Sequence, residues 1–354
     1  MGYYSTKEFS SGILSGMVKP KYMMIKNVLG EDFDYSHGVD IYIDLNTFVN
    51  SMTTSTKYLS SLSFNKNAQA DIVSSFINIA LHWKNFTKQW DEVKIFMIMN
   101  DYNEQHINCE QSHIHSYLLP YKHKMNGERY DQLRYYLTEA IKLTQKVFMF
   151  IPNIYLITCT DFDSLVFPSV LKAYDINRRK RIIVTGNNLF TGYMFENNCK
   201  VIFSKCRHTG ISQVYDPVMI AKSISKIDDD VMSVFAKNKV FYNTLNVIVG
   251  DYDRGILGMN GMGISRFAAD LLRNLEKGLI PSEPKSFESV LSIIDNNFHS
   301  YVSKAYPLVD IKSHGNLVKQ SSIETIKTEQ MIDKIDIDGL RELSIDGVNL
   351  LELV

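Results

Sequence analysis

The first chemistry that this sequence suggests is the binding of a phosphate group by backbone amides. The stretch 250–265 contains five glycines within fourteen residues, and helical apolar patterns precede and follow it. Glycines allow a backbone to approach a ligand closely, and the amides at a helix N-terminus favour an anion. The pattern favours a helix, a glycine-rich hairpin and a second helix with Ser265 as its N-cap, in contact with a phosphodiester. An ordinary glycine-rich turn between packed helices is the alternative.

Carboxylates at the ends of predicted strands suggest a second chemistry, the binding of a divalent cation. Asp44 closes the apolar segment 39–44, and Asp161 and Asp163 follow the segment that begins at Ile151. In open α/β sheets, ligands bind beyond the carboxyl ends of the strands. Asp161 and Asp163 are two residues apart, so both are expected to face a metal site at the junction of a strand and a helix. Hard cations prefer such oxygen ligands. An N-cap role for Asp44 is the competing interpretation.

Alternating strands and helices are predicted around these acids. Helical apolar spacing covers 68–83 and 129–147, whereas 93–99 and 182–185 have the short apolar runs of buried strands. The histidine-rich segment 102–127 matches no standard spacing of zinc ligands. The sequence therefore offers acids and glycines as candidate site residues, and gives little support for zinc.

Bulk composition narrows the class of protein. The 354 residues are 45% hydrophobic and 22% charged, as expected of a globular protein, and the net charge is −1. Any contact with nucleic acid must therefore rest on local basic patches. Four cysteines without a Cys-x-x-Cys spacing suit reduced thiols. No apolar run reaches the length of a membrane span, so we expect no membrane contact and a cytoplasmic protein, in the host cytoplasm if the gene belongs to a phage.

The order of these features resembles the 5′-nuclease superfamily, which includes flap endonucleases and phage 5′ nucleases. In that family a Gly-Asp pair precedes a Gly-x-x-Gly-x-Gly hairpin and a helix, as do Gly250-Asp251 and the run 258–263 here. The resemblance implies an α/β fold of the PIN-like type, with a mostly parallel central sheet flanked by helices, a helix–hairpin–helix element and a C-terminal extension. It also implies DNA binding through four residues of the element: Gly258, Gly261, Gly263 and Ser265.

The resemblance further implies a Mg²⁺ or Mn²⁺ site. Asp101 stands one residue later than the family's acid on the second strand, where Asn100 takes its place. At the family's second metal position, an Asp-Gly-Asp motif, this chain has Gly186 and Asn188. One metal site is therefore expected, with the second lost or weakened. The implied ligands are Asp44, Asp101, Asp161, Asp163 and Asp251.

A basic element is the third implied part of the site. Family members carry a Tyr-Lys-x-x-Arg element in a helical arch over the active site, and Tyr121-Lys122 begins a similar run here. Lys122 is then the expected catalytic cation and Lys124 a DNA contact, although Met125 stands where arginine is common. The run at 178–181 would add further phosphate neutralisation. A solvated basic loop is the alternative for Lys122 and Lys124.

Two functions follow, and both involve DNA that is branched or has a 5′ end. One is a structure-specific 5′ nuclease, and the other is a catalytically inactive DNA-binding or assembly subunit of a phage replication or transcription complex. An unrelated α/β protein is a third, less specific possibility.

The acidic C-terminal tail is expected either to dock a protein partner or to pack on its own domain. The predicted units are 1–37 (extension), 38–249 (nuclease domain), 250–280 (helix–hairpin–helix) and 281–354 (C-terminal region).

Overall fold

The computed structural model describes about half of the chain as defined elements and their adjoining turns. The described residues are 36–46, 49, 66–88, 90, 92–100, 128–159, 179–185, 188–196, 198–207, 210–215, 234, 238–249, 264–310, 323–324, 334–343, 345 and 349–353.

A seven-stranded sheet forms the centre of the described part, in the order β6-β5-β4-β1-β2-β3-β7. The five inner strands run parallel, whereas β6 and β7 pair antiparallel at the two edges. The mostly parallel sheet expected from the sequence is therefore confirmed. The strands are β1 (Val39–Asp44), β2 (Val93–Asn100), β3 (Ile154–Cys159), β4 (Lys180–Thr185), β5 (Cys199–Arg207), β6 (Gly210–Tyr215) and β7 (Ile323–Glu324).

The strand order reverses direction at β1. From β1 the chain adds β2 and β3 on one side, and it then returns to add β4 and β5 on the other. Such a reversal opens a crevice beyond the carboxyl ends of the two central strands, because the connections leave them in opposite directions. The reversal here lies between β1 and β4, and a crevice is therefore expected beyond the carboxyl ends of these two strands.

Two long helices cover one face of the sheet. Helices α1 (Lys66–Phe86) and α2 (Glu128–Phe148) bury apolar side chains against the β1 residues Val39, Ile41 and Ile43. On the other face, Tyr42, Phe96 and Tyr155 stand in register on three neighbouring strands, and their rings stack at centroid distances of 5.0 and 5.2 Å. Because both faces are covered, every residue of β1 is buried.

A second cluster is helical. It contains α3 (Lys239–Val249), α4 (Ile264–Glu276), α5 (Glu288–Leu291) and α6 (Asn296–Val309). A 3-10 helix, η1 (Asn188–Phe195), connects this cluster to the sheet. Its residue Phe190 packs on the sheet, Met194 touches both clusters, and the ring of Phe195 lies 5.5 Å from that of Tyr242 in α3. The helical cluster therefore joins the sheet on the β4 side, through η1.

The C-terminal segment packs against the protein's own sheet core. Helices α7 (Ile337–Glu342) and α8 (Leu350–Leu353) bring Leu340, Ile345 and Leu350 into the cluster formed by α1, α2 and the sheet. Of the two roles considered for this tail, packing on its own domain is the one observed. No described helix is long and apolar enough to cross a membrane.

Left-handed residues precede four of the five parallel strands. Gly38, Glu92, Asn153 and Asn198 have φ between 46° and 80°, and each stands directly before β1, β2, β3 or β5. The carbonyls of Asn153 and Asn198 then accept hydrogen bonds of 2.8 Å from the neighbouring strands. These turns fix where each strand starts. Non-glycine residues rarely adopt this conformation, although asparagine tolerates it better than most.

Candidate functional site

Asp44 and Thr185 meet at the reversal point of the sheet. Each is the last residue of its strand, β1 and β4 respectively, and the Thr185 hydroxyl donates a 2.7 Å hydrogen bond to Oδ2 of Asp44. Both residues are 2% exposed. A carboxylate buried so deeply persists where hydrogen bonds or a cation stabilise its charge, and the hydroxyl supplies one such bond. This pair is the best-defined polar feature of the carboxyl edge.

The neighbouring strands end at the same edge of the sheet. Asp44 is in register with Ile98 on β2, and the last residues of β2 and β3, Asn100 and Cys159, are in register with one another. The parallel strands therefore direct the chain segments after β2 and β3 toward the edge that carries Asp44. Asp101 directly follows the first of these strand ends, and Asp161 comes two residues after the second.

Arg179 forms an ion pair at the opposite, amino edge of the sheet. Its Nε donates a 2.7 Å hydrogen bond to Oδ1 of Asp40, and its Nη1 lies 3.3 Å from a carboxylate oxygen of Glu92. Its Nη2 also donates to the carbonyls of Glu92 and Val39. A Cβ on Gly38 would approach the guanidinium to 2.3 Å, so a larger residue there would displace the paired arginine, and glycine also suits the φ of +80°.

The prediction that the run 178–181 supplies phosphate neutralisation is thus wrong for Arg179. That side chain is buried and paired with Asp40, and it lies at the start of β4 rather than at the end where Thr185 stands. Lys180 donates to Asn198 Oδ1 beside the same edge. Burial raises the pKa of the Asp40 carboxyl, and the hydrogen bond and charge of Arg179 oppose that rise.

Helix α3 carries the chain toward the second group of candidate residues. The Asn238 side chain caps its start by accepting from the amides of Val240 and Phe241 at 2.9 and 3.3 Å. Lys239 forms ion pairs with Glu196 beyond η1 and with Asp310 after α6, at 3.6 and 3.3 Å. These contacts fix the helix whose end, Val249, directly precedes Gly250-Asp251.

Helix α4 presents a basic outer face. Phe267, Ala268 and Leu271 are buried, whereas the Arg266 and Arg273 side chains are 71% and 63% exposed. Arg266, Asp270 and Arg273 lie at spacings of four and three residues and thus form one stripe, which the exposed Lys277 continues. Three cations against one anion give this stripe a charge of +2, which the neighbouring exposed Glu276 reduces to +1, in a chain whose net charge is −1.

The structure places only two of the sequence-predicted site residues among those it describes. Asp44 is at the predicted strand end. Ser265 was expected to cap α4, but the helix begins at Ile264, so Ser265 lies inside its first turn and the N-cap prediction is wrong. The others fall outside the described residues and stay predictions: Asp101, Lys122, Lys124, Asp161, Asp163, Gly186, Asp251, Gly258, Gly261 and Gly263.

The described residues include only part of the set of ligands that a metal ion would need. Within the described part of the chain, no three His, Cys, Asp or Glu side chains come together as a metal site. Asp44 is a suitable oxygen ligand in kind and position, and further carboxylates would have to come from the segments after β2, β3 and α3.

Thr185 is a site residue that the sequence did not single out. The available signal was a polar residue at the end of the apolar run 182–184.

Comparisons with known proteins found similarity at the level of solved structures. No family model matches this chain, and no curated protein does. The D15 protein of phage T5, crystallised with metal ions, aligns with 14% identity and a TM-score of 0.44, over 89% of this chain and 99% of its own. A variant of the same phage's D15 flap endonuclease, in a pseudo-enzyme–product complex with DNA and metal ions, aligns with 13% identity and a TM-score of 0.42. That alignment covers 89% of this chain and 98% of the other.

Proposed function

We propose that this protein is a nuclease-like DNA-binding protein that hydrolyses phosphodiester bonds in branched or 5′-flapped DNA with Mg²⁺ or Mn²⁺. The observation that carries the proposal is the buried Asp44 carboxylate, held by Thr185 at the reversal point of a parallel sheet. Ligands of open α/β sheets bind at this position. A carboxylate, rather than an apolar residue, in so buried a place favours cation binding over a purely structural role.

Four acids would hold the cation in this proposal. Asp44 is in place, Asp161 and Asp163 follow β3, and Asp251 follows α3. Clustered carboxylates repel one another unless a cation compensates their charge. When bound, a divalent cation activates water and stabilises the leaving oxygen in phosphodiester hydrolysis. The role of these side chains is to bind and orient it, and the role of Thr185 is to fix the orientation of Asp44.

DNA would be bound by the helical cluster in this proposal. The glycines of the predicted hairpin would offer amides to a phosphate, and the exposed Arg266, Arg273 and Lys277 of the helix that follows would add positive charge. Lys122 and Lys124 would act from the segment between β2 and α2. Such local sites would allow a protein without net positive charge to bind a polyanion.

A catalytically inactive relative is the second candidate function. Gly186 and Asn188 replace acids at the second metal position of the family that the sequence resembles. An asparagine carbonyl can coordinate a hard cation, but it lacks the charge that strengthens such a site. In that case the protein would bind DNA, or assemble with other proteins on it, without cleaving it.

The decisive experiment is cleavage of a labelled 5′-flap DNA by the purified protein with Mg²⁺, with Mn²⁺ and with EDTA. The proposal expects metal-dependent cleavage that Asp44→Asn abolishes. The control Asp71→Asn, on the exposed side of α1, should leave it unchanged. Binding without cleavage would favour the inactive candidate. Gain of cleavage in the double variant Gly186→Asp with Asn188→Asp would attribute the inactivity to the second metal position. Neither binding nor cleavage would refute both functions.

A further inference from the structure

The carboxylate of Asp270 lies between the two exposed arginines of the α4 stripe. Its Oδ1 is 3.4 Å from Nη1 of Arg273, and its Oδ2 is 4.0 Å from Nε of Arg266. The Asp270 side chain is 29% exposed, and each arginine side chain is more than twice as exposed. Two guanidinium groups thus share one carboxylate that is less accessible to solvent than they are.

Both contacts are of a kind that another anion can displace. Among the residues that the structure describes, Arg266 and Arg273 pair with no other acid, and the Asp270 carboxylate pairs with no other cation. In the pair with Arg266 the cation precedes the acid by four residues, which is the less favourable order on a helix. Exposed ion pairs contribute little to stability. Arg179, in contrast, is buried and donates to side chains and to backbone carbonyls.

A DNA phosphate would require the same guanidinium groups that Asp270 binds. Arginine binds carboxylates and phosphates through the same planar set of N–H donors. A phosphate on either arginine therefore replaces the carboxylate, which is left unpaired beside the phosphate and repels it. The stripe and Glu276 together have a charge of +1, and loss of the Asp270 charge would raise it to +2.

We propose that Asp270 is an internal competitor of DNA phosphate for Arg266 and Arg273, and that it limits the affinity and the salt dependence of the contact with α4. The proposal rests on the proposed function, because a polynucleotide is the ligand. In the free protein Asp270 pairs with the two arginines, and in the complex phosphates replace it. Because each new contact breaks an existing ion pair, the net gain is small, and α4 binds DNA tightly only together with other contacts.

Neutralising Asp270 in the full-length protein tests this proposal. Asp270→Asn keeps the shape of the side chain and has a similar helix propensity, and Asp270→Ala removes the same charge with a higher propensity, so a folding defect would not affect both.

Two control variants change one acid each. Glu276→Gln removes a charge from the same helix, about 60–120° around it from the paired residues, where the acid has no ion pair among the described residues. Asp338→Asn breaks an equally spaced pair, with Arg341 at 3.0 Å, on α7 in the sheet cluster.

The measurement is the dissociation constant of a labelled 5′-flap DNA in Ca²⁺ buffer, from about 50 to 300 mM NaCl. We expect both Asp270 variants to tighten binding about two- to five-fold at low salt, which is the range that loss of an exposed competing pair allows. The slope of log affinity against log salt should steepen by up to about one. Glu276→Gln and Asp338→Asn should each change the affinity by less than about 1.5-fold.

Three results would overturn the competitor. Equal tightening by Asp270→Asn and Glu276→Gln would mean that only the charge of the helix matters. Weaker binding by the Asp270 variants would mean that the carboxylate orients the arginines for DNA. Equal affinity in all the proteins would refute the role of Asp270 and leave the proposed DNA binding intact. If neither the unchanged protein nor any variant binds DNA at any salt concentration, the competitor and the proposed DNA-binding function are both refuted.

Discussion

The ion pair between Arg179 and Asp40 places two charges inside a parallel sheet. Removing one partner of such a pair leaves an uncompensated buried charge, which costs about 3–5 kcal/mol. Replacing both partners with neutral groups costs much less, because the desolvation penalties disappear together. The intact pair is therefore expected to add little net stability, whereas loss of one partner should be costly.

Arg179→Met should lower the free energy of unfolding by about 3 kcal/mol at pH 7 and by much less near pH 4. Burial already raises the pKa of Asp40, and loss of the guanidinium raises it further. When folding raises the pKa of an acid, its contribution to the free energy of unfolding is fully present at pH values below the pKa in the unfolded state. That contribution is lost as the pH rises through the pKa in the folded state. The extra loss in the variant should thus develop above the pH at which Asp40 ionises in the unchanged protein, and that pKa is already raised above its ordinary value of about 4.

Urea unfolding at several pH values measures this effect. The double variant Arg179→Met with Asp40→Asn is the control, and it should recover most of the loss at pH 7 because no buried charge remains. A loss of equal size at pH 4 and pH 7 would mean that packing of the arginine stem, rather than its charge, accounts for the effect.

Thr185 should matter for cation binding more than for stability. Thr185→Val removes the hydroxyl that orients Asp44 and keeps the shape of the side chain. Loss of a residue that orients a metal ligand typically weakens metal affinity or activity by about 10–100-fold. Calorimetric Mn²⁺ titration should show this loss, and Thr185→Ser should restore binding. Equal Mn²⁺ affinity in all three proteins would limit Thr185 to a structural role.

At the scale of elements, the sequence predicted the long helices from their apolar periodicity, but it did not predict which elements contact one another. The helices predicted at 68–83 and 129–147 extend over Lys66–Phe86 and Glu128–Phe148, because an amphipathic period is a local property. Gly278 follows the end of α4 and stops the helix. It has φ +66°, and the amides of Gly278 and Leu279 donate to the carbonyls of Leu275 and Asn274, as in a Schellman motif.

Interactions between distant residues left no such local signal. Thr185 and Asp44 are 141 residues apart in the chain, and Arg179 and Asp40 are 139 apart. The two-residue strand β7 is too short to show any alternation. The boundary between α5 and α6 is likewise set by a capping contact, since the Asp295 side chain accepts from the Asn297 amide and starts a new helix there. The sequence thus indicated Asp44 at the carboxyl edge of the sheet, whereas its hydroxyl partner, Thr185, could be identified only from the folded structure.

The α4 stripe should contribute to DNA affinity as a salt-dependent contact. Each phosphate contact that is lost lowers the slope of log affinity against log salt by about one. Arg273→Ala should therefore reduce the slope by up to about one for any DNA sequence. The control Arg341→Ala removes a similarly exposed arginine from α7 and should leave the slope unchanged. An unchanged slope in Arg273→Ala would exclude this helix from the DNA contact.

At the scale of the whole molecule, the tail should behave as part of the core. Leu340 is almost fully buried among α1, α2 and sheet residues, whereas Leu351 is 45% exposed. Leu340→Ala should lower the free energy of unfolding by about 2–5 kcal/mol through lost contacts and a cavity. Leu351→Ala should cost less than about 1 kcal/mol. Chemical denaturation of both variants checks this difference, and equal small losses would mean that the tail is only loosely attached.

The strand order also bears on how the chain is made. Strands β1, β2 and β3 follow one another in sequence, but β4 begins about 136 residues after β1 ends. At a synthesis rate of about 5–20 residues per second, the β4-facing edge of β1 stays unpaired for roughly 7–27 s on the ribosome. Throughout that interval Asp40 and Asp44 lack the arginine and the hydroxyl that hold them in the finished protein. The nascent sheet thus exposes its central strand, with both acids, until the second half of the sheet is translated.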